Sequence, residues 1–318
     1  MNQKLEKYIM KLNTEPSREF SVQLDLPLRH YTSLAAFQNI VQEDKLIFWA
    51  TDIHYLNDKN EWEHAQNIYK VVCENLLKNG KIDQNIYKSI VNIKPDMETT
   101  FVTCSYDEQK NMDIISGTSK ISAKFVICFS TENDSLPMWN YYSNGTSYCG
   151  CNLGTISNLL FDDDAVCSPR LINSRLYKVI YRFDDKEKII EEIILGLIEK
   201  VDSLDDLIEV QKQLAYRLSE WCFCFKDSCF EYEREVRLCV DLPREDYAST
   251  VKYRVNHGML IPYIELELKK DILLSVMIGP LTCEESEKEL QKNAMHNMLA
   301  ERGYSCDYIS FSHCPIRF

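Results

Sequence analysis

Apolar residues recur along this chain at two periods, and each change of period marks an element. A helical lead-in gives way to a strand over Leu26 to Tyr31, after which Ser33 caps a short helix with Leu34, Phe37, Ile40 and Val41 on one face. Leu46 to Ala50 returns as a strand. Asn57 or Asp58 then caps a longer helix reaching about Leu77, with Trp62, Ala65, Ile68, Tyr69 and Val72 at helical spacing. A short helix is predicted over Asp83 to Val91. Phe101 to Tyr106 and Lys124 to Ser130 read as strands flanking a polar loop from Asp107 to Lys120, and Leu136 to Tyr142 forms a turn or two of helix. Strands follow at Tyr148 to Leu153 and Arg175 to Arg182, then two helices with apolar stripes, Lys186 to Lys200 and Ser203 to Phe223. The last third is strand-rich: Glu235 to Leu242, Val251 to Val255, Ile261 to Leu268 and Ile272 to Ile278. A capped helix, Glu284 to Arg302, precedes a final strand near Asp307 to Phe311.

Strands in both halves with helices grouped between them predict an α+β fold with a mixed or largely antiparallel sheet, not a βαβ repeat. With no internal repeat and no break in composition, the chain reads as one domain, 1–318, carrying a helical insertion at about 184–224.

Composition narrows the function. A net charge of −13 opposes nucleic-acid binding, since phosphate neutralisation needs clustered Lys and Arg. The most apolar stretch, Ile189 to Ile198, is broken by Glu191 and Glu192, so no membrane span is expected. The polar first twenty residues lack the apolar core of a signal peptide, which predicts a cytoplasmic protein whose 13 cysteines are mostly reduced. Cys149/Cys151 and Cys222/Cys224, with Cys229 behind, do not have the C-x2-C or C-x4-C spacing of structural zinc; they read as buried thiols, and no metal site is expected.

Fingerprints of Rossmann, P-loop, zincin and α/β-hydrolase sites are absent. Polar and aromatic clusters at strand edges remain: Arg29-His30-Tyr31-Thr32-Ser33; Asn57-Asp58 with Glu61; Cys128-Phe129-Ser130; Met138-Trp139-Asn140-Tyr141-Tyr142 with Gly150; Glu231 to Arg237; Ile278-Gly279-Pro280; and Ser312 to Arg317. Asn57-Asp58 reads most simply as a helix cap. Trp139, Tyr141 and Tyr142 read either as packing or as ligand-stacking rings. Glu231, Glu233 and Glu235 alternate, so a strand would put all three on one side, as solvated charges or as a site, with Arg234 and Arg237 in reach as partners.

Taken in order, these clusters resemble, over nearly the whole chain, the bacterial family catalogued as domain of unknown function 2971. A second resemblance is to ADP-ribosyltransferase-like folds, in which a strand ending in a histidine motif leads into a helix, aromatics stack on nicotinamide, and a late glutamate is catalytic. His30-Tyr31-Thr32, Trp139 with Tyr142, and Glu233-x-Glu235 stand in similar places. Phe129 stands where such folds carry a tyrosine, and Tyr31 where they carry a glycine.

That resemblance implies NAD as a substrate, with Glu233, Glu235 and His30 catalytic and His30, Tyr31, Thr32, Trp139, Tyr142 and Arg237 binding it. Cleaving the nicotinamide–ribose bond builds positive charge on the sugar, which a carboxylate stabilises without a metal. It further implies a transferase or NAD glycohydrolase acting as a toxin or anti-phage effector, with a small-molecule nucleotide as partner and a protein as partner or acceptor. The competing reading is a non-catalytic module that senses a nucleotide or binds a protein through the same pocket.

Overall fold

The computed structural model describes residues 1–14, 20–56, 61–95, 98–106, 112–143, 150–161, 174–256, 258–280, 284–305 and 308–315. Asn57, Asp58, Cys149 and Arg317 lie outside these residues. Eleven strands are described: β1 Pro27–Ser33, β2 Lys45–Asp52, β3 Glu98–Tyr106, β4 Met112–Ser130, β5 Gly150–Ile156, β6 Ser174–Lys178, β7 Glu235–Pro243, β8 Lys252–Asn256, β9 Met259–Lys269, β10 Ser275–Ile278 and β11 Ile309–Phe311. They form one mixed sheet in the order β11-β10-β5-β1-β4-β2-β9-β8, with β7 and then β6 on the other edge of β4, and β3 on its early half. Every ladder is antiparallel except β10–β11. The expected α+β class with a mixed sheet therefore holds.

Strand alternation divides most of the interior into two main cores, beside a small cluster of Tyr31, Met138, Trp139 and Met277. In β7, Val236, Leu238, Val240 and Leu242 face one core, with Phe125, Ile127 and Phe129 of β4. Cys239 and Val126 face the other, which is built by helices Gln3–Thr14, Glu61–Lys78, Phe183–Ile198 and Leu204–Cys224. The helical stretch expected near 184–224 thus exists, and it packs with two earlier helices as a layer over the sheet. Ser33 caps its helix as expected, accepting from Ala36 N, and two further side-chain caps are Asp83, accepting from Asn85 N and Ile86 N, and Ser203, accepting from Asp206 N. Among the described residues no helix is long and apolar enough to cross a membrane.

Two expectations are corrected. The polar loop placed at Asp107 to Lys120 is strand from Met112 onward, paired residue by residue with β3 from Tyr106↔Met112 to Glu98↔Lys120. A hairpin ladder satisfies its own backbone groups, so polar Ser and Thr do not exclude a strand there. Glu231, Glu233 and Glu235 do not alternate along one strand. Ser228–Glu233 is a 3-10 helix, Arg234 turns the chain at φ 45° and ψ 49°, and β7 begins only at Glu235.

Candidate functional site

One edge of β4 is shared unequally by two strands. β1 meets it only at Arg29↔Ser130, and β2 only at Thr51↔Val126 and Asp52↔Phe125. Between these points, β4 residues Ile127 to Phe129 pair with β7 alone among the described ladders. The sheet is split there, and a cavity of about 300 Å³ opens at the split.

His30 fills the gap. Its Nδ1 lies 3.0 Å from the Cys128 carbonyl, which can only accept, so Nδ1 carries the proton and Nε2 is left as an acceptor. The ring packs edge-on against Phe48 and Phe129, at 5.0 and 5.9 Å between centroids. Burial lowers its pKa, against a smaller opposing effect of the Cys128 carbonyl, so His30 is neutral at pH 7. Tyr31 and Thr32 also line the cavity. The Tyr31 hydroxyl donates to the Glu132 carbonyl at 2.8 Å and accepts from Ser135 N at 3.2 Å, which ties β1 to the turn after β4. Behind Thr32, Gly150 of β5 has no room for a side chain: a Cβ there would sit 2.1 Å from Ser143 Cβ and 2.6 Å from the Thr32 carbonyl oxygen.

The opposite wall is a buried charge cluster. Glu235 and Arg237 project from β7 on the face opposite Val236 and Leu238, and Arg237 is wholly buried. Arg237 grips Glu235 in a two-pronged pair, Nε to Oε1 at 3.0 Å and Nη2 to Oε2 at 2.9 Å, while its Nη1 donates to the Phe223 carbonyl. Lys226 follows the apolar end of helix Leu204–Cys224, and its backbone is held beside β6 by Lys226 N donating to the Ile180 carbonyl. Its ammonium reaches Glu233 Oε2 at 2.5 Å and Glu235 Oε2 at 3.0 Å. Tyr142 donates to the other oxygen of Glu233 at 2.9 Å. Glu233 is fixed from behind by Ser130, whose hydroxyl donates to its carbonyl.

The two carboxylates titrate in opposite directions. Burial raises Glu233, and the nearby Lys226 ammonium only partly offsets this. Burial acts on Glu235 too, but Arg237 and then Lys226 outweigh it and hold Glu235 far below the ordinary range. Burial, and then the Glu235 charge, push the Cys128 thiol well up, so Cys128 is not a thiolate nucleophile.

Of the residues the sequence singles out, His30, Tyr31, Thr32, Tyr142, Glu235 and Arg237 line the one cavity. Glu233 joins through Tyr142 and Lys226 from just behind the wall. Trp139 does not line it: the ring is fully buried, 4.6 Å from Tyr31, and its Nε1 donates to Asp134 at 2.7 Å. Asp134 also accepts from Ser312 and from His313 N, which accounts for the late Ser312-His313-Cys314 motif as an anchor for this turn. Tyr141 is exposed and stacks on Tyr232. The sequence reading missed Lys226, Trp49 and Arg254, all on the cavity wall. Lys226 carried a faint signal, as the charge that ends the apolar run Trp221 to Phe225. Among the described residues no group of His, Cys, Asp and Glu is arranged to hold a metal ion.

No curated protein and no solved structure matches the chain. Residues 138–238, which carry Tyr142, Lys226, Glu233, Glu235 and Arg237, match the family described as protein of unknown function (DUF2971).

Proposed function

We propose that the cleft holds NAD and that the chain is an NAD-consuming transferase or glycohydrolase with an ADP-ribosyltransferase-like core. The observation that carries this reading is the convergence, at one split in the sheet, of a neutral histidine with two carboxylates of opposite titration. His30 Nε2 accepts from a ribose hydroxyl, and the Tyr142 ring supplies a flat apolar surface. The nicotinamide–ribose bond breaks with its electron pair leaving on nicotinamide, and water or an acceptor side chain adds to the ribose carbon. A carboxylate beside that carbon stabilises the charge that builds there. The toxin or anti-phage role implied by the resemblance rests on the same activity.

The direct test is to incubate purified protein with NAD and to follow free nicotinamide by chromatography, with intact-mass analysis of added acceptor protein. Release of nicotinamide is expected. A second reading, a non-catalytic nucleotide sensor, is favoured by one feature: Lys226 and Arg237 already neutralise both carboxylates. NAD that binds and stays intact supports that reading. Failure of NAD to bind overturns the first reading, and failure of every nucleotide tested overturns both.

A further inference from the structure

Three cations line the cleft, and two of them have carboxylate partners. Lys226 faces Glu233 and Glu235, and Arg237 grips Glu235. The third, Arg254 of β8, stands on the far wall formed by β2, β8 and β9. The acids of that wall have other partners: Glu265 pairs with Lys252 at 2.7 Å, Glu267 with Lys45 at 3.0 Å, and Asp52 accepts from His54 N and lies 2.9 Å from His54 Nδ1. Among the described residues Arg254 has no acidic partner.

Its guanidinium is nevertheless held firmly. Nη2 donates to Thr51 Oγ1 at 2.9 Å, and the group lies over the Trp49 and Tyr263 rings at 5.7 and 5.8 Å. Those rings are themselves packed 4.6 Å apart, and Thr51 sits directly across from Tyr263 in the β2–β9 ladder. A guanidinium has five donors in a fixed plane, and Thr51 accepts from one. Asn256, two residues on along β8, lines the same cavity and adds an amide donor. A desolvated cation that keeps its shape without a counter-ion is pre-organised for an anion brought by the ligand.

We infer that Arg254 is the phosphate-binding residue of this cleft, so that its ligand carries an anionic phosphate on the β8 wall and its uncharged end near His30 and Tyr142. This rests on the nucleotide reading for the identity of the ligand, but the anion subsite itself does not. It also orients the ligand, because the cations of the opposite wall, Lys226 and Arg237, are already paired with Glu233 and Glu235.

Paired ligands that differ only in phosphate test it. Isothermal titration compares nicotinamide mononucleotide with nicotinamide riboside, and AMP with adenosine, on the wild type, Arg254→Gln and Arg254→Lys. The wild type should bind each phosphorylated member at least about tenfold more tightly. Arg254→Gln should abolish that preference and leave the phosphate-free ligands within about twofold, and Arg254→Lys should keep part of it. A preference that survives in Arg254→Gln, or is absent from the wild type, overturns the assignment. If no nucleoside or nucleotide binds the wild type, the nucleotide reading fails. Titration with inorganic pyrophosphate then decides the subsite alone: binding lost in Arg254→Gln upholds it, and no binding to the wild type overturns it.

Discussion

Glu233 and Glu235 share the Lys226 ammonium, at 2.5 and 3.0 Å, yet only Glu235 has the Arg237 guanidinium as well. That asymmetry separates two carboxyls that stand two residues apart. Arg237 makes Glu235 a permanent anion, while Glu233, with one shared cation and one phenol, is left above its ordinary value of 4.5. Pairs whose surroundings push their pKa values apart are the pattern by which acid and base roles are divided at catalytic sites.

For stability, the two groups act with opposite sign. The depressed Glu235 contributes stability that is present above its unfolded pKa, near 4.5, and is lost as pH falls towards its folded value. The raised Glu233 favours the folded state below about 4.5, and that contribution is lost as pH rises through its folded pKa. Glu235→Gln leaves the buried Arg237 without its anion and should lower stability by about 3 to 5 kcal/mol at pH 7. Urea unfolding at several pH values is the measurement. The gap from wild type should narrow as pH falls below about 4.5, and equal midpoints at pH 7 would show that Arg237 is neutralised by another group.

His30 should titrate below its ordinary value of 6.5 and carry its proton on Nδ1, because burial disfavours the cation and the Cys128 carbonyl fixes the tautomer. Long-range nitrogen–proton correlation spectra of ring-labelled protein report both properties. An Nε2-protonated ring, or a midpoint above 6.5, would contradict the geometry at the sheet split.

Much of the fold was legible because it is local. Ser33, Asp83 and Ser203 announce their helices by side-chain caps, and helix Glu61–Lys78 follows the spacing of Trp62, Ala65, Ile68 and Val72. The site was only partly legible because it is made by long-range pairing. His30 meets Cys128 across 98 positions of sequence, and nothing in either segment says that β1 and β2 splay from one edge of β4. Lys226 and Arg254 are single basic residues among 36 and form no motif, so only the fold picks them out. Trp139 shows the reverse error: an aromatic in a conspicuous cluster is spent on packing Tyr31 and holding Asp134. Glu233 and Glu235 meet, though not by the route the sequence suggests. Strand alternation does not join them; the left-handed turn at Arg234 and the reach of Lys226 do.

Glu233 is the better candidate for the catalytic carboxylate, and the reason is its neighbour. Glu235 is locked in a two-pronged pair with a wholly buried arginine, so moving its charge towards a substrate would strand Arg237. Glu233 is held by Lys226 and by the Tyr142 hydroxyl, and Tyr142 lies on the cavity wall. Glu233→Gln keeps the size and one accepting oxygen but removes the charge. In an enzyme shown to release nicotinamide, it should lower kcat by on the order of a hundredfold and leave the affinity for NAD nearly unchanged, since the lost interaction belongs to the transition state. Tyr142→Phe removes one donor to the Glu233 anion, so it should move the acidic midpoint of the pH–rate profile upward. His30→Ala should instead weaken NAD binding along with turnover. Full activity in Glu233→Gln with loss in Glu235→Gln would reassign the role to Glu235; full activity in both would remove the catalytic carboxylate from this cluster.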